Sequence, residues 1–308
     1  MNIRDYIFIA RLDHWPKNIM VLPGCAFALY LMHISPDISF LLRVVMALLA
    51  CCFLASANYT INEWLDSAYD KFHPAKRHRP GASGRLQPAF VLLEYIVFAG
   101  VGLSISAYLT NFFLLVGVIF LIMGLAYNVP PIRTKDKAYL DVATESFNNP
   151  LRFLLGWVVC SPSTLPPSSI LLAYWAGGGF LMAVKRYAEY RFINNAEQAS
   201  LYRASFGKYT EKNLLLYSVF YAITSSFFLA IFLIKYHIEF MFLFPFIAFL
   251  FVWYLKIGMQ PLSETQSPEK IFREKNFFWY VIFLIILTMF LAILDIPELS
   301  YLLEPIGL

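Results

Sequence analysis

The chain has 308 residues, 59% of them hydrophobic and 14% charged, with a net charge of +4. Soluble globular proteins carry about a quarter charged residues, so this composition excludes an ordinary water-soluble enzyme. The small positive charge calls for no nucleic-acid partner, because membrane topology and phosphate binding account for its basic residues.

Taken in chain order, the charge-free windows predict a polytopic membrane protein. Arg4, Asp5, Arg11, Asp13 and Lys17 interrupt the start, so no cleavable signal peptide is expected there. No acid, Lys or Arg lies between Lys17 and Asp37, and none from Val44 to Asn62. Each window is near the ~20 residues that cross a bilayer as a helix. Tyr95 to Ile132 is long enough for two spans, with Thr110-Asn111 as the turn between them. Phe153 to Val184 is a second double span, broken at the polar Ser161 to Pro167 stretch. Further windows run from Asn213 to Ile234 and from Asn276 to Leu294. Nine spans are expected, near 19–34, 39–61, 89–109, 112–128, 141–160, 168–185, 213–234, 239–255 and 277–294. The fold class is therefore an all-α membrane protein, one domain over 1–308. Cys25, Cys51, Cys52 and Cys160 all fall in apolar windows and read as small hydrophobes.

Charge placement orients the bundle. With Lys185, the segments 1–18, 62–88, 129–140, 186–212 and 256–276 hold 21 of the 24 Lys and Arg. Only Lys235 lies on the opposite side, and Arg43 and Arg152 fall inside spans. The positive-inside rule then puts the N-terminus and the long loops in the cytoplasm and the C-terminus outside.

The chemistry concentrates where the second span ends. Asn62, Asp66 and Asp70 are spaced four apart, so on a helix they share one face. Hard oxygen donors on one face suit Mg²⁺, and the His73-Pro74-Ala75-Lys76-Arg77-His78-Arg79-Pro80 run beyond them suits an anionic ligand. The sixth span likewise runs into a polar helical continuation, Lys185-Arg186-Tyr187-Ala188-Glu189, and two such runs could converge on one ligand. Asp141, Glu145, Asn149 and Arg152 are expected to share a helical face lining a polar cavity, with a structural Glu145–Arg152 pair as the plainer reading. His73 and His78 read as interface or supporting residues, and Trp64, Trp157, Trp175, Trp253 and Trp279 as interface or lipid-facing aromatics.

Asn62, Asp66 and Asp70, followed by Pro74, Arg79, Pro80 and Gly84, resemble the first signature of the UbiA superfamily of intramembrane prenyltransferases. Glu63 departs from it, standing where the family usually has Asp, which puts a direct metal contact by residue 63 in doubt. Within the superfamily the chain is most similar to the branch that transfers phosphoribosyl to polyprenyl phosphates of the decaprenyl type. That similarity rests on Trp15-Pro16-Lys17-Asn18, on the 73–80 run, on Tyr127 through Arg133 to Asp141 with Arg152, and on Lys185 to Glu189. It covers about residues 4–215.

The resemblance implies a membrane-embedded transferase that moves 5-phosphoribosyl from phosphoribosyl diphosphate to a polyprenyl phosphate, supplying pentose to the cell envelope from the cytoplasmic face of a bacterial inner membrane. It implies a Mg²⁺ cofactor on Asp66 and Asp70 with Asn62 as neutral ligand, and Glu189 completing the catalytic set. It also implies donor-phosphate binding by Lys76, Arg77, Arg79, Lys185 and Arg186, with Tyr127, Arg133, Arg152 and Tyr187 as further substrate contacts and Lys17 on the acceptor phosphate. Two alternatives stay open at this point. An aromatic prenyltransferase would carry two aspartates four apart where this chain has Lys-Arg-Tyr-Ala-Glu. A lipid transporter would spread its charges through the membrane depth rather than crowd them on one side.

Overall fold

A computed structural model describes residues 2–266 and 268–302, and over them the chain is helical with no strand. The expected C-terminal side of the membrane, and the extreme ends of the single domain, involve residues outside that set. After a short α1 (Ile3–Ile9), a tight 3-10 stretch (Leu12–Val21) leads into α2 (Leu22–Leu31). The span expected near 19–34 is thus a shorter α-helix: Ile19 to Val21 belong to the 3-10 stretch, and Pro23 stands in the first turn of α2, where its missing amide costs no hydrogen bond. The longest element, α3 (Ile38–Asp70), has 33 residues and starts at Asp37, whose side chain accepts from the Phe40 amide. At ~1.5 Å per residue it is about 50 Å long, well beyond the ~30 Å hydrocarbon core. Its last turns, carrying Asn62 to Asp70, therefore stand clear of the apolar run.

The loop after α3 closes on Gly84, whose φ of 71° is the left-handed conformation that suits glycine, and the Arg85 amide donates back to Pro80 O. Helices α4 (Pro88–Leu109) and α5 (Asn111–Asn128) meet at the expected Thr110-Asn111 turn, where the Thr110 hydroxyl accepts from the Phe113 amide at 2.9 Å. The span expected at 141–160 is two helices, α6 (Leu140–Ser146) and α7 (Asn148–Cys160). Pro150 explains the break: it has no N–H for the Ser146 carbonyl, which instead accepts from the Asn149 side chain at 3.3 Å. The shared face of Asp141, Glu145, Asn149 and Arg152 is lost with it. Helix α8 (Ser168–Ile193) does continue through Lys185 to Glu189. The remaining helices are α9 (Ala196–Tyr202), α10 (Glu211–Tyr236), α11 (Phe244–Gly258) and α12 (Lys275–Leu291).

Among the described residues five segments, Ile38–Asp70, Pro88–Leu109, Asn111–Asn128, Glu211–Tyr236 and Ile238–Gly258, are long and apolar enough to cross a membrane, and Lys275–Leu291 is a shorter apolar helix. Large apolar side chains are exposed along their outer faces, such as Leu92, Ile96, Phe220, Ile223, Ile286 and Met289. An exposed apolar belt of this kind is stable against lipid and not against water. Inside, one cluster joins α2, α3, α5 and α7 through Cys25, Leu54, Phe113, Phe120 and Leu155, and another joins α7, α8, α10 and α12 through Trp157, Ile170, Phe232 and Leu284. Helices α2 and α7 cross backbone to backbone: a Cβ on Gly24 would lie 2.0 Å from Phe153 O, and one on Gly156 1.9 Å from Val21 O. The four cysteines are free thiols, three buried and Cys160 half-buried, as expected of packing residues.

Candidate active site

The end of α3 presents its carboxylates to cations from three loops. Asp66 Oδ1 accepts from Lys135 Nζ and, at 3.2 Å, from Arg133. Lys135 Nζ also donates to Asn128 Oδ1 at 2.9 Å, and the same oxygen accepts from the Asn62 side chain. One turn on, Asp70 Oδ2 accepts from Arg79 NH1 at 3.0 Å. Glu63 lies one residue round the helix from Asn62, and it is turned to Arg79 and Arg11, each at 3.2 Å. Its longer side chain is thus spent on arginines. Burial pushes Lys135 down to about 8, against the pull of Asp66.

The second half of the site is built on α8. Arg186 is buried and donates to Asp141 (3.3 Å), Glu145 (2.8 Å), Glu189 (3.4 Å) and the Tyr127 hydroxyl (2.9 Å). Tyr127 in turn donates to Glu145 at 2.6 Å. Glu189 Oε1 accepts from Lys76 Nζ and from the Tyr202 hydroxyl at 3.0 Å, with His73 Nε2 at 3.5 Å. Burial opposes the charge on Lys76, yet Glu189 beside it holds its pKa above the ordinary lysine value. The charged continuations of the second and sixth spans therefore do converge, joined by the Lys76–Glu189 pair.

The structure gathers Asn62, Asp66, Asp70, Lys76, Arg79, Tyr127, Arg133, Arg186 and Glu189 into one region, as three bonded groups: Asn62, Asp66 and Arg133 through Asn128 and Lys135; Asp70 with Arg79; and Lys76, Glu189, Arg186 and Tyr127. Lys185, half-buried, stands close enough to Glu145, Lys17 and Glu189 to feel their charges. Other expected residues are placed elsewhere. Arg77 is exposed and its Nε donates to His78 at 3.1 Å. Tyr187 turns into an aromatic cluster with Tyr202, Phe206 and Tyr209, its hydroxyl donating to Glu211 at 3.2 Å. Arg152 donates to Asn18 at 3.0 Å and lies over the Phe120 ring, so neither the Glu145–Arg152 pair nor their common face forms. Lys17 lies 3.1 Å from His14 Nδ1.

Sequence reasoning missed Lys135, Arg203, Tyr202 and Arg11. The Arg133-x-Lys135 spacing just after an apolar helix was a usable signal for Lys135. Nothing local marks Arg203.

The arrangement fits a hard cation that shares its ligands with a substrate. Among the described residues no three His, Cys, Asp or Glu side chains are grouped to hold a metal by themselves. However, the Lys135 ammonium already sits as a positive charge on Asp66, and Asp66 Oδ2 and Asp70 Oδ1 take no part in the pairs above. Mg²⁺ characteristically takes one or two carboxylates and fills its remaining positions with water and phosphate oxygens.

The profile of the UbiA prenyltransferase family matches residues 20–282. An uncharacterized protein of Sinorhizobium fredii is 30% identical over 51% of this chain and 29% of its own length. The decaprenyl-phosphate phosphoribosyltransferase of Mycobacterium tuberculosis is 32% identical over 65% of this chain and 64% of its own. The chain thus spans less than two thirds of the length of these relatives. Among solved structures, a UbiA homolog from Archaeoglobus fulgidus bound to GPP and Mg²⁺ superposes with a TM-score of 0.70 at 21% identity, covering 94% of this chain and all of the other.

Proposed function

This chain belongs to the UbiA prenyltransferase family, and on that premise we propose that it transfers 5-phosphoribosyl from phosphoribosyl diphosphate to a polyprenyl phosphate in a Mg²⁺-dependent reaction. The observation that carries the reading is the state of Glu189. Both its oxygens are committed, to Lys76 and Tyr202 on one side and Arg186 on the other. Neither oxygen is free for a metal, so the α8 side of the site lacks the second carboxylate pair that a prenyl diphosphate enzyme would offer. The name of the M. tuberculosis relative supports the same branch.

The donor carries a diphosphate and a 5-phosphate, and the site carries Lys76, Arg79, Arg133 and Lys135 around two aspartates. Guanidinium forks match phosphate oxygens, so these side chains orient the donor with its C1 exposed. Asp66 and Asp70, with Asn62, would hold Mg²⁺, which when bound neutralises the charge that builds on the leaving diphosphate. Lys17 and Lys185 hold the acceptor phosphate. An oxygen of that phosphate bonds to C1 as the C1–O bond to diphosphate breaks. The attacking oxygen is already anionic, so no strong general base is required. The product is a polyprenyl-phosphoryl 5-phosphoribose, made at the cytoplasmic face of a bacterial inner membrane for the pentose units of the cell envelope.

The test is transfer of label. Purified protein in detergent receives Mg²⁺, labelled phosphoribosyl diphosphate and a polyprenyl phosphate, and the lipid is extracted. Label in the lipid, lost with EDTA and in Asp66→Asn, is expected. No label, with transfer instead from a polyprenyl diphosphate to an aromatic acceptor, would move the chain to the aromatic branch.

A further inference from the structure

The loop between α8 and α10 brings one more cation to the site. Arg203 follows the last residue of α9 and is held by its neighbours. The Ser205 and Tyr209 hydroxyls donate to Asp141 at 3.2 and 2.7 Å, Phe206 packs on Tyr190, and the Gln198 side chain donates to Phe72 O at 2.9 Å. From this fixed base Arg203 NH1 donates to the Tyr127 hydroxyl at 3.2 Å and lies 4.0 Å from Asp141. Its Nε is buried with no hydrogen-bond partner among the described residues. A buried guanidinium N–H without an acceptor is unfavourable, so its persistence calls for an explanation.

Arg203 also borders a cleft with Asp66, Arg133, Lys135, Asp136 and Tyr202. The two carboxylates there are already paired, Asp66 with Lys135 and Arg133, and Asp136 with Arg133 at 2.7 Å. Three cations line the cleft against two acids, and the Asp141 that lies 4.0 Å from Arg203 is shared with Arg186, so positive charge is left in a partly desolvated place, which is the condition for an anion site. The free space, about 10 Å³, holds about one water. A phosphoryl group therefore enters only as Lys135 turns from Asp66 onto the incoming oxygens.

We propose that Arg203, with Arg133 and Lys135, binds one phosphoryl group of the donor in this cleft, through the side-on fork that its unpartnered Nε makes available. The proposal rests on the donor being phosphoribosyl diphosphate. It makes the α8–α10 loop part of the donor site, where neither the sequence motifs nor the family signature places it.

The experiment uses two unreactive probes, inorganic pyrophosphate and ribose 5-phosphate, titrated calorimetrically into the detergent-purified full chain with Mg²⁺. Losing a forked, charge-assisted contact in Arg203→Gln is expected to weaken one probe by about tenfold or more. The other probe should hold within a few-fold, and the weakened one identifies the phosphoryl group. If Arg203→Gln does not fold, Arg203→Lys decides, since it keeps the charge and loses the fork, and a several-fold loss for one probe is expected. Unchanged affinity for both probes in the folded variant overturns the proposal, as does equal weakening of both. A wild type that binds pyrophosphate but not ribose 5-phosphate, and leaves no label in the lipid assay, refutes the phosphoribosyl reading instead. A pyrophosphate loss in Arg203→Gln then still supports Arg203 as a phosphate ligand.

Discussion

Replacing Arg186 should unfold the protein before it alters the chemistry. The guanidinium is 1% exposed and joins three carboxylates and a tyrosine drawn from α5, α6 and α8. Arg186→Gln leaves Asp141, Glu145 and Glu189 facing one another without their common cation. Removing one partner from a buried ion pair costs about 3–5 kcal/mol. The lower end applies, because Arg203 stays 4.0 Å from Asp141 and Lys76 stays on Glu189. For a chain of this size about 3 kcal/mol is a fall of roughly 6–12 °C in melting temperature. The assay is thermal unfolding in detergent followed by tryptophan fluorescence, with Arg186→Lys expected in between, since an ammonium cannot reach four acceptors at once. An Arg186→Gln protein that melts within about a degree of wild type yet loses donor affinity would refute the reasoning and make Arg186 a substrate contact.

Asp66→Asn keeps the shape and one acceptor oxygen at that position but leaves the buried Lys135 charge without its carboxylate. It should lose about 1–3 kcal/mol of stability and at least about 10²-fold in turnover, read by melting and by lipid label; wild-type turnover would remove Asp66 from the metal site. Arg77→Ala should leave melting within about 0.5 kcal/mol of wild type and donor affinity unchanged, whereas Arg79→Ala, which strips the cation from Asp70 and leaves Glu63 with Arg11, should reduce both. A tenfold loss of donor affinity in Arg77→Ala would bring that residue into the site. The Ser39 hydroxyl and the Phe40 amide hold Asp37 below its ordinary value of 3.8. A carboxyl depressed in the folded state contributes stability above its unfolded pKa and loses it as pH falls through the folded one. Asp37→Ala should therefore lower the melting temperature more at pH 6 than at pH 2.5. An equal difference at both would show that the charge on this cap is idle.

What the sequence disclosed and what it hid divide along a physical line. Local periodicity disclosed the polar end of α3, because Asn62, Asp66 and Asp70 repeat at the helical spacing within one element. It disclosed the Thr110-Asn111 turn for the same reason. The Pro150 break was legible too, yet reading 141–160 as one span hid it, and the shared face of Asp141 and Arg152 fell with it. Helical phase separates Tyr187 from Arg186 and Glu189: residues 186 and 189 are three apart and face the site, while 187 is a hundred degrees round and faces the aromatic cluster. The pairings were not legible at all, since Lys135 reaches Asp66 from 69 positions away and Lys76 reaches Glu189 from 113. Those pairings change what the motif means. Carboxylates and cations this buried are tolerable only as partners, so the site is held near neutral before any ligand arrives. A Mg²⁺–diphosphate ligand likewise carries both signs of charge. On the proposed function, Asp66 and Asp70 would hold the metal while Lys135 and Arg79 would meet the phosphates, so that each internal pair would be exchanged for an external one. The spacing of three oxygen ligands in the sequence is one half of that exchange, and folding alone supplies the other.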